Sequence, residues 1–128
     1  MPVAVEEDIA RAICSDKWDP ETGLLSPSLF KGQNTSVSRL AVTPLDETWR
    51  VFRSEVEKPP ERTLARIGTI NVGRLAEVGR SFADNPTALT VEPDPLEGYP
   101  SHAIIPQKIS RGLANQILRE LQLHSELR

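Results

Sequence analysis

Proline and turn residues divide this chain into short segments, and that division limits the folds open to it. The 128 residues include 11 prolines, and the pair Pro59-Pro60 ends one helical pattern because proline cannot continue a helix. Residues 15–34 are rich in turn dipeptides and carry only isolated apolar side chains. Each periodic segment is too short to fold alone. We therefore expect a single domain over residues 1–128, with one shared core and a long ordered loop at about 15–34.

Apolar residues at helical spacing predict three to four helices. The pattern is strongest where Leu45, Trp49, Phe52 and Val56 form a stripe after Pro44, which suits the first position of a helix. Helical patterns cover residues 5–13, 44–56, 72–78 and about 110–124.

Four short segments have the character of strands, at residues 36–42, 64–70, 88–92 and 102–105. A proline-rich acidic loop joins the last two, so they are expected to be antiparallel neighbours. The sequence thus predicts an α+β fold, with a small three- to four-stranded, mainly antiparallel sheet packed by three to four helices on one side.

Basic residues are concentrated in the middle of the sequence. The chain has 15 Lys and Arg against 18 Asp and Glu, a net charge of −3, yet residues 31–82 carry nine bases and six acids. A nucleic-acid-binding protein usually collects its basic charge on one face. The block could form such a face only if folding gathers these residues; ordinary solvated arginines are the alternative.

The composition favours a cytoplasmic protein without a membrane segment, metal or cofactor. Cys14 is the single cysteine, so no internal disulfide can form and a reducing compartment is favoured. The first residues lack a signal-peptide pattern, and no stretch reaches the roughly 18 apolar residues needed to span a bilayer. Cys14 and the two histidines have no paired ligand at zinc-binding spacing.

His102 and Asp94 are the candidate catalytic residues. His102 stands where the acidic loop meets a predicted strand, so it could act as a general acid or base with Asp94 as its carboxylate partner. Nothing supplies a nucleophile at a recognisable spacing. The alternative is a structural histidine whose ring hydrogen-bonds a loop carbonyl or Asp94 and thereby fixes the loop.

Five further residues are candidates for binding. A guanidinium together with serine hydroxyls can recognise a phosphate, a carboxylate or a peptide backbone, and exposed aromatic rings can stack on bases. These candidates are Arg39, Ser36, Ser38, Trp18 and Tyr99.

Several short motifs together resemble a pattern found in a family of small, uncharacterised bacterial proteins. They are Ser26-Pro27-Ser28-Leu29-Phe30, Ser36-Val37-Ser38-Arg39, Asp94-Pro95 and Pro100-Ser101-His102-Ala103. The resemblance implies a bacterial origin and a place in a multi-gene system, and it brings no established activity. It also implies that the loop at 26–30, Arg39 and His102 meet in space.

Three functions remain open at this point. The first is a small accessory or protein-interaction domain that binds a partner protein through the 15–34 loop. The second is a small enzyme acting on a nucleotide or nucleic acid, with His102 as acid or base, Asp94 orienting it and Arg39 clamping an anion. The third is a non-catalytic nucleic-acid binder that uses the basic 31–82 region.

Overall fold

The computed structural model describes residues 2–126, which form one six-stranded antiparallel sheet. The strands lie in the spatial order β4-β5-β2-β1-β3-β6. Their bounds are Asp8–Cys14 (β1), Thr35–Arg39 (β2), Leu64–Asn71 (β3), Glu92–Pro93 (β4), His102–Ile105 (β5) and Gln122–His124 (β6). The prediction of a three- to four-stranded sheet is therefore wrong.

Three α-helices accompany the sheet in the described part of the chain: Leu45–Val56 (α1), Val72–Arg80 (α2) and Arg111–Glu120 (α3). The predicted helix at 5–13 is wrong, because this segment forms the central strand β1. Ile9 and Ile13 are four residues apart, a spacing that fits one face of a helix but also alternate positions of a strand. Ala10 and Ala12 are buried as well, so the strand has apolar residues on both faces.

The helices lie on both faces of the sheet, not on one. Ile9 and Ile13 belong to the apolar cluster that includes residues of α2 and α3. Ala10 and Ala12 belong to a second cluster that includes Trp49 and Phe52 of α1. Side chains of a strand alternate between faces, so α1 covers the face opposite to α2 and α3.

The C-terminal end of the described chain departs from the predicted long helix. Helix α3 ends at Glu120, and β6 then pairs with β3, with His124 opposite Ile67. His124 thus lies on an edge strand, and the hydroxyl of Thr69 is 3.0 Å from its Nε2.

The predicted strand at 88–92 is shorter than expected, with only Glu92–Pro93 paired to β5. The preceding backbone finds other partners: the Val91 carbonyl accepts from the Val3 amide, and the Thr90 amide donates to the Gln107 side chain. These bonds take the place of a ladder along β5.

The 15–34 loop is packed onto the core over its second half. Leu29 and Phe30 are buried, and Gly32 exchanges two backbone hydrogen bonds with Ile109, of 2.9 and 2.8 Å. Leu24, near the middle of the loop, is 69% exposed. The loop is thus a cover over the core that leaves one large apolar side chain in solvent.

Candidate functional site

His102 is held by hydrogen bonds to two other segments of the chain. Its Nδ1 lies 2.8 Å from the backbone oxygen of Asp94 and 3.2 Å from the Asp94 carboxylate oxygen Oδ2. Its Nε2 lies 3.2 Å from the hydroxyl oxygen of Ser36. Ser36, His102 and Asp94 therefore form a continuous hydrogen-bonded set.

The partners of His102 decide which ring nitrogen carries the proton in the neutral ring. Both oxygens of Asp94 at Nδ1 are acceptors, so Nδ1 must be the donor. Nε2 then presents a lone pair and accepts the proton of the Ser36 hydroxyl. This is the tautomer that a histidine needs to act as a general base toward a hydroxyl.

Strand register brings Ser36 and His102 to the same face. Ser38 is directly opposite His102 in the antiparallel pair of β2 and β5, and Ser36 is two residues before Ser38 on the same face. Asp94 reaches the ring from the other side, because its amide donates to the His102 carbonyl at 3.0 Å. The site is thus built from β2, β5 and the residue that follows β4.

The surroundings fix His102 but leave Ser36 open. His102 is 8% exposed, whereas Ser36 is an exposed residue. The ring of Tyr99 meets the imidazole edge-on, with 5.1 Å between the ring centroids. A small nucleophile that solvent can reach, next to a rigid buried base, is an arrangement suited to covalent chemistry.

Ser38 and Tyr99 lie behind the site and support it. Ser38 and Ser101 are fully buried, and the Ser38 hydroxyl donates to that of Ser101 at 2.8 Å. Tyr99 is also buried; burial raises the pKa of its phenol, and a hydrogen bond to Ser38 opposes that shift. The structure thus brings the predicted residues Ser36, Ser38, Tyr99, Asp94 and His102 together.

Arg11 joins the site from β1, and the sequence interpretation missed it. Strands β1 and β2 are registered at two Cα pairs, Ile9 with Arg39 and Ala10 with Ser38, and Arg11 follows where they separate. Its guanidinium donates to the Leu29 carbonyl at 2.9 Å and to the Ser36 carbonyl at 3.1 Å. The available signal was a single charge within the apolar run Ile9-Ala10-Arg11-Ala12-Ile13.

Arg11, Ser36, Tyr99 and His102 line a cleft of about 180 Å³. Phe52 and Glu55 of α1 form the opposite wall. A second cleft, of about 160 Å³, shares Arg11 and Glu55 with the first, so the two adjoin.

Two other predicted binding residues lie elsewhere. Arg39 points to the opposite face from Ser38, and its guanidinium forms an ion pair with Glu7 at 2.9 Å. Trp18 is half-buried, and the guanidinium of Arg66 lies 4.5 Å from its ring centroid. The structure does not bring Arg39 to His102. The 26–30 loop reaches the site through Leu29, whose carbonyl accepts from Arg11 and which lines the second cleft.

Cys14 is buried, and burial raises the pKa of its thiol, which disfavours the reactive thiolate. Within residues 2–126, no group of three His, Cys, Asp or Glu side chains could hold a metal ion. None of the helices in that range is long and apolar enough to cross a membrane.

No family model, curated protein or solved structure matches this chain.

Proposed function

We propose that this protein is a small enzyme in which Ser36 is the nucleophile, His102 the general base and Asp94 the residue that orients His102. The observation that carries this proposal is the pair of acceptors at Nδ1 of His102, the Asp94 carbonyl and carboxylate. They hold the imidazole with its free lone pair toward Ser36. The site supports hydrolysis or transfer of an ester-type group.

The roles follow from the hydrogen bonds. The hydroxyl of Ser36 attacks the electrophilic centre of a substrate in the cleft, and Nε2 of His102 takes the hydroxyl proton. The Nδ1 proton stays on the imidazolium and is donated in a hydrogen bond to Asp94, whose negative charge stabilises the cation. As the bond to the leaving oxygen breaks, Nε2 gives its proton to that oxygen; water or an acceptor hydroxyl then releases the group from Ser36 by the same steps in reverse. Arg11 lines the same cleft and can stabilise negative charge that develops on the substrate.

A fluorophosphonate probe tests the nucleophile without knowledge of the substrate. We expect the folded protein to gain one probe adduct, located at Ser36 by peptide mass spectrometry. Ser36→Ala should abolish the adduct, and His102→Gln should slow its formation by at least about a hundredfold, the lower range for general base catalysis.

Ser54→Ala is the matched control, because Ser54 is exposed on α1 and outside both clefts. It should react like the unaltered chain. Equal labelling of the parent protein and Ser36→Ala, or no labelling of the folded parent, would contradict the nucleophile.

A second candidate function is binding of a partner protein, as an accessory domain of a bacterial multi-gene system. It is favoured by Leu24 and Leu123, which are 69% and 44% exposed and border one groove of about 370 Å³. The groove runs between the 15–34 loop, α3 and β6. The lone thiol of Cys14 supports a reducing, cytoplasmic setting for either function.

Affinity capture from the native lysate tests this second candidate. A stoichiometric partner should be retained by the parent chain and by the control Val42→Asp, whose valine is 43% exposed outside the groove. The paired change Leu24→Asp and Leu123→Asp should release it. Equal capture by all three proteins would rule out the groove as the binding surface.

Nucleic-acid binding through the 31–82 region receives less support from the fold. Arg39 and Arg74 are engaged by carboxylates, and so is Arg53. Arg53 lies on α1 and Arg74 on α2, which cover opposite faces of the sheet. Folding therefore disperses the basic block.

A further inference from the structure

Arg11 has no carboxylate partner in the part of the chain that the structure describes. Arg39, Arg53 and Arg74 each bind a carboxylate, whereas Arg11, like Arg62 and Arg66, donates to main-chain carbonyls. Among the described arginines, Arg11 alone lines both adjoining clefts. Its guanidinium is half-buried between β1, β2 and the 15–34 loop. A partly buried charge is stabilised by a counter-ion, and no described carboxylate supplies one to Arg11.

The hydrogen bonds of Arg11 show which part of the group is available. A guanidinium has five N–H donors, and Arg11 uses two of them, one from Nε and one from Nη1, on main-chain carbonyls. Those two bonds fix the plane of the group where β1 and β2 separate. The other three donors have no acceptor among the described residues, and Arg11 lines both adjoining clefts.

We propose that Arg11 binds a singly charged oxyanion of the substrate, a phosphodiester or a carboxylate, beside the Ser36 hydroxyl. This inference rests on the proposed function, since it names the substrate class of the same cleft. A fixed guanidinium recognises two oxygens of such a group at once, and binding there places the remainder of the substrate against Ser36 and His102.

The charge of the first cleft favours a monoanion. Arg11 and Glu55 are its two charged lining residues, so a bound dianion would face one carboxylate and one guanidinium. The second cleft adds Asp16, Lys17 and Arg62. The volume of the clefts limits the size of the bound group. Each cleft is smaller than the roughly 300–1,000 Å³ of pockets that enclose a drug-sized ligand. The site therefore takes a small anionic group while the rest of the substrate lies outside.

Nuclear magnetic resonance of the arginine Nε–Hε groups tests this directly on the ¹⁵N-labelled full chain. The signal lost in Arg11→Lys assigns Arg11. Titration with dimethyl phosphate and, separately, with acetate distinguishes a phosphodiester from a carboxylate. We expect at least one of the two to shift the Arg11 signal in a saturable manner.

Inorganic phosphate is the third anion to be titrated. At a pH where it is a dianion, it should bind more weakly than the preferred monoanion. Arg11→Lys should weaken binding of the preferred anion by at least about tenfold, read from backbone signals of the cleft residues, because lysine cannot reproduce the planar pair of donors. Arg50→Lys is the matched control, since Arg50 is exposed on α1 and lines neither cleft; its affinity should be unchanged.

The outcomes separate this inference from the proposed function. No saturable shift of the Arg11 signal with either monoanion, or a shift located elsewhere in the protein, overturns the anion site even where Ser36 still reacts with the fluorophosphonate. Anion binding at Arg11 in a protein whose Ser36 does not react overturns the nucleophile and leaves the anion site standing. If Arg11→Lys fails to fold, Arg11→Gln assigns the signal in its place, and the titration of the parent chain still decides.

Discussion

At the scale of single residues, the main chain and the side chain of Asp94 both accept a hydrogen bond from the ring of His102. Asp94 accepts from Nδ1 through its carbonyl at 2.8 Å and through its carboxylate at 3.2 Å. The shorter bond belongs to the main chain, which substitution of the side chain leaves in place. Tautomer control and stabilisation of the imidazolium are therefore separable at this site.

Asp94→Asn and Asp94→Ala should both leave Ser36 reactive toward the fluorophosphonate, at a rate lowered by about tenfold, less than the loss from His102→Gln. The main-chain carbonyl still holds the Nδ1 proton, and the lost carboxylate is 49% exposed, so solvent already weakens its effect. Second-order rate constants of labelling provide the measurement. A loss as large as that of His102→Gln would mean that the carboxylate alone sets the tautomer.

Tyr99 makes the free energy of unfolding depend on pH in the alkaline range. Burial raises the pKa of its phenol, so the folded state resists ionisation more than the unfolded state does. The stabilisation is complete below the ordinary phenol pKa of about 10 and is lost as the pH rises through the higher folded value. The buried Cys14 thiol, whose pKa is also raised, adds a fall in the same direction.

Urea unfolding across alkaline pH measures this loss. The double variant Tyr99→Phe, Cys14→Ser lacks both groups. Its free energy of unfolding should therefore fall less steeply with rising pH than that of the parent chain. Tyr99 is the only tyrosine, so its ionisation can be followed by absorbance in the folded protein. A phenol that titrates at its ordinary value would contradict the burial effect.

The candidate site was predictable in part. His102 and Asp94 were found from their position beside an acidic loop, and Ser36 and Ser38 from strand-like alternation. The nucleophile role of Ser36 was not, because it depends on the register of β2 with β5, which are joined only after some 60 residues of chain. Arg11 was missed because the separation of β1 from β2 has no local sequence signal.

At the scale of secondary structure, burial on both faces explains the main error. A strand with apolar residues on both sides lacks the alternation that marks a half-buried strand, so 5–13 fitted a helix. Strand β6 has only three residues, too few to show any period. By contrast α1, with its apolar stripe, was predicted to within one residue of its observed bounds, although Pro44 is its N-cap and not its first helical residue.

Gly79 lies inside a helix although the helical pattern in the sequence ends one residue before it, at 78. Helix α2 continues through Arg80, and Gly79 is buried inside it. A Cβ at this position would stand 2.8 Å from Cγ of Leu89, closer than side chains pack, and it would also meet the Thr87 carbonyl. The glycine allows the 87–89 segment to approach the helix.

Gly79→Ala should lower the free energy of unfolding by about 1–3 kcal/mol, the usual cost of overpacking, despite the better helix propensity of alanine. Urea denaturation provides the measurement. Gly112→Ala in α3 is the control, because its nearest contact is the ring of Phe82, a side chain that can move. A stability loss at Gly112 as large as at Gly79 would argue against the specific contact.

At the scale of the whole molecule, the sheet separates two apolar clusters, one on each of its faces. The larger cluster lies under α2 and α3, and the smaller one lies under α1, which also forms a wall of the cleft. Strand β1 contributes to both, with Ile9 and Ile13 on one side and Ala10 and Ala12 on the other. Neither cluster can lose its packing without disturbing this central strand.

The two tryptophans report on the two clusters separately, since Trp18 packs against the larger and Trp49 belongs to the smaller. Trp18→Phe leaves Trp49 as the only fluorescent tryptophan, and Trp49→Phe leaves Trp18. Because both clusters share β1, we expect the fluorescence transition of each variant to coincide with its own far-ultraviolet circular dichroism transition. Ser36 labelling should disappear over the same range of denaturant, because its geometry requires β2, β5 and the 94–101 segment at once. A Trp49 transition that precedes the loss of secondary structure would instead mean that α1 opens independently, so that access to the cleft is controlled by this helix.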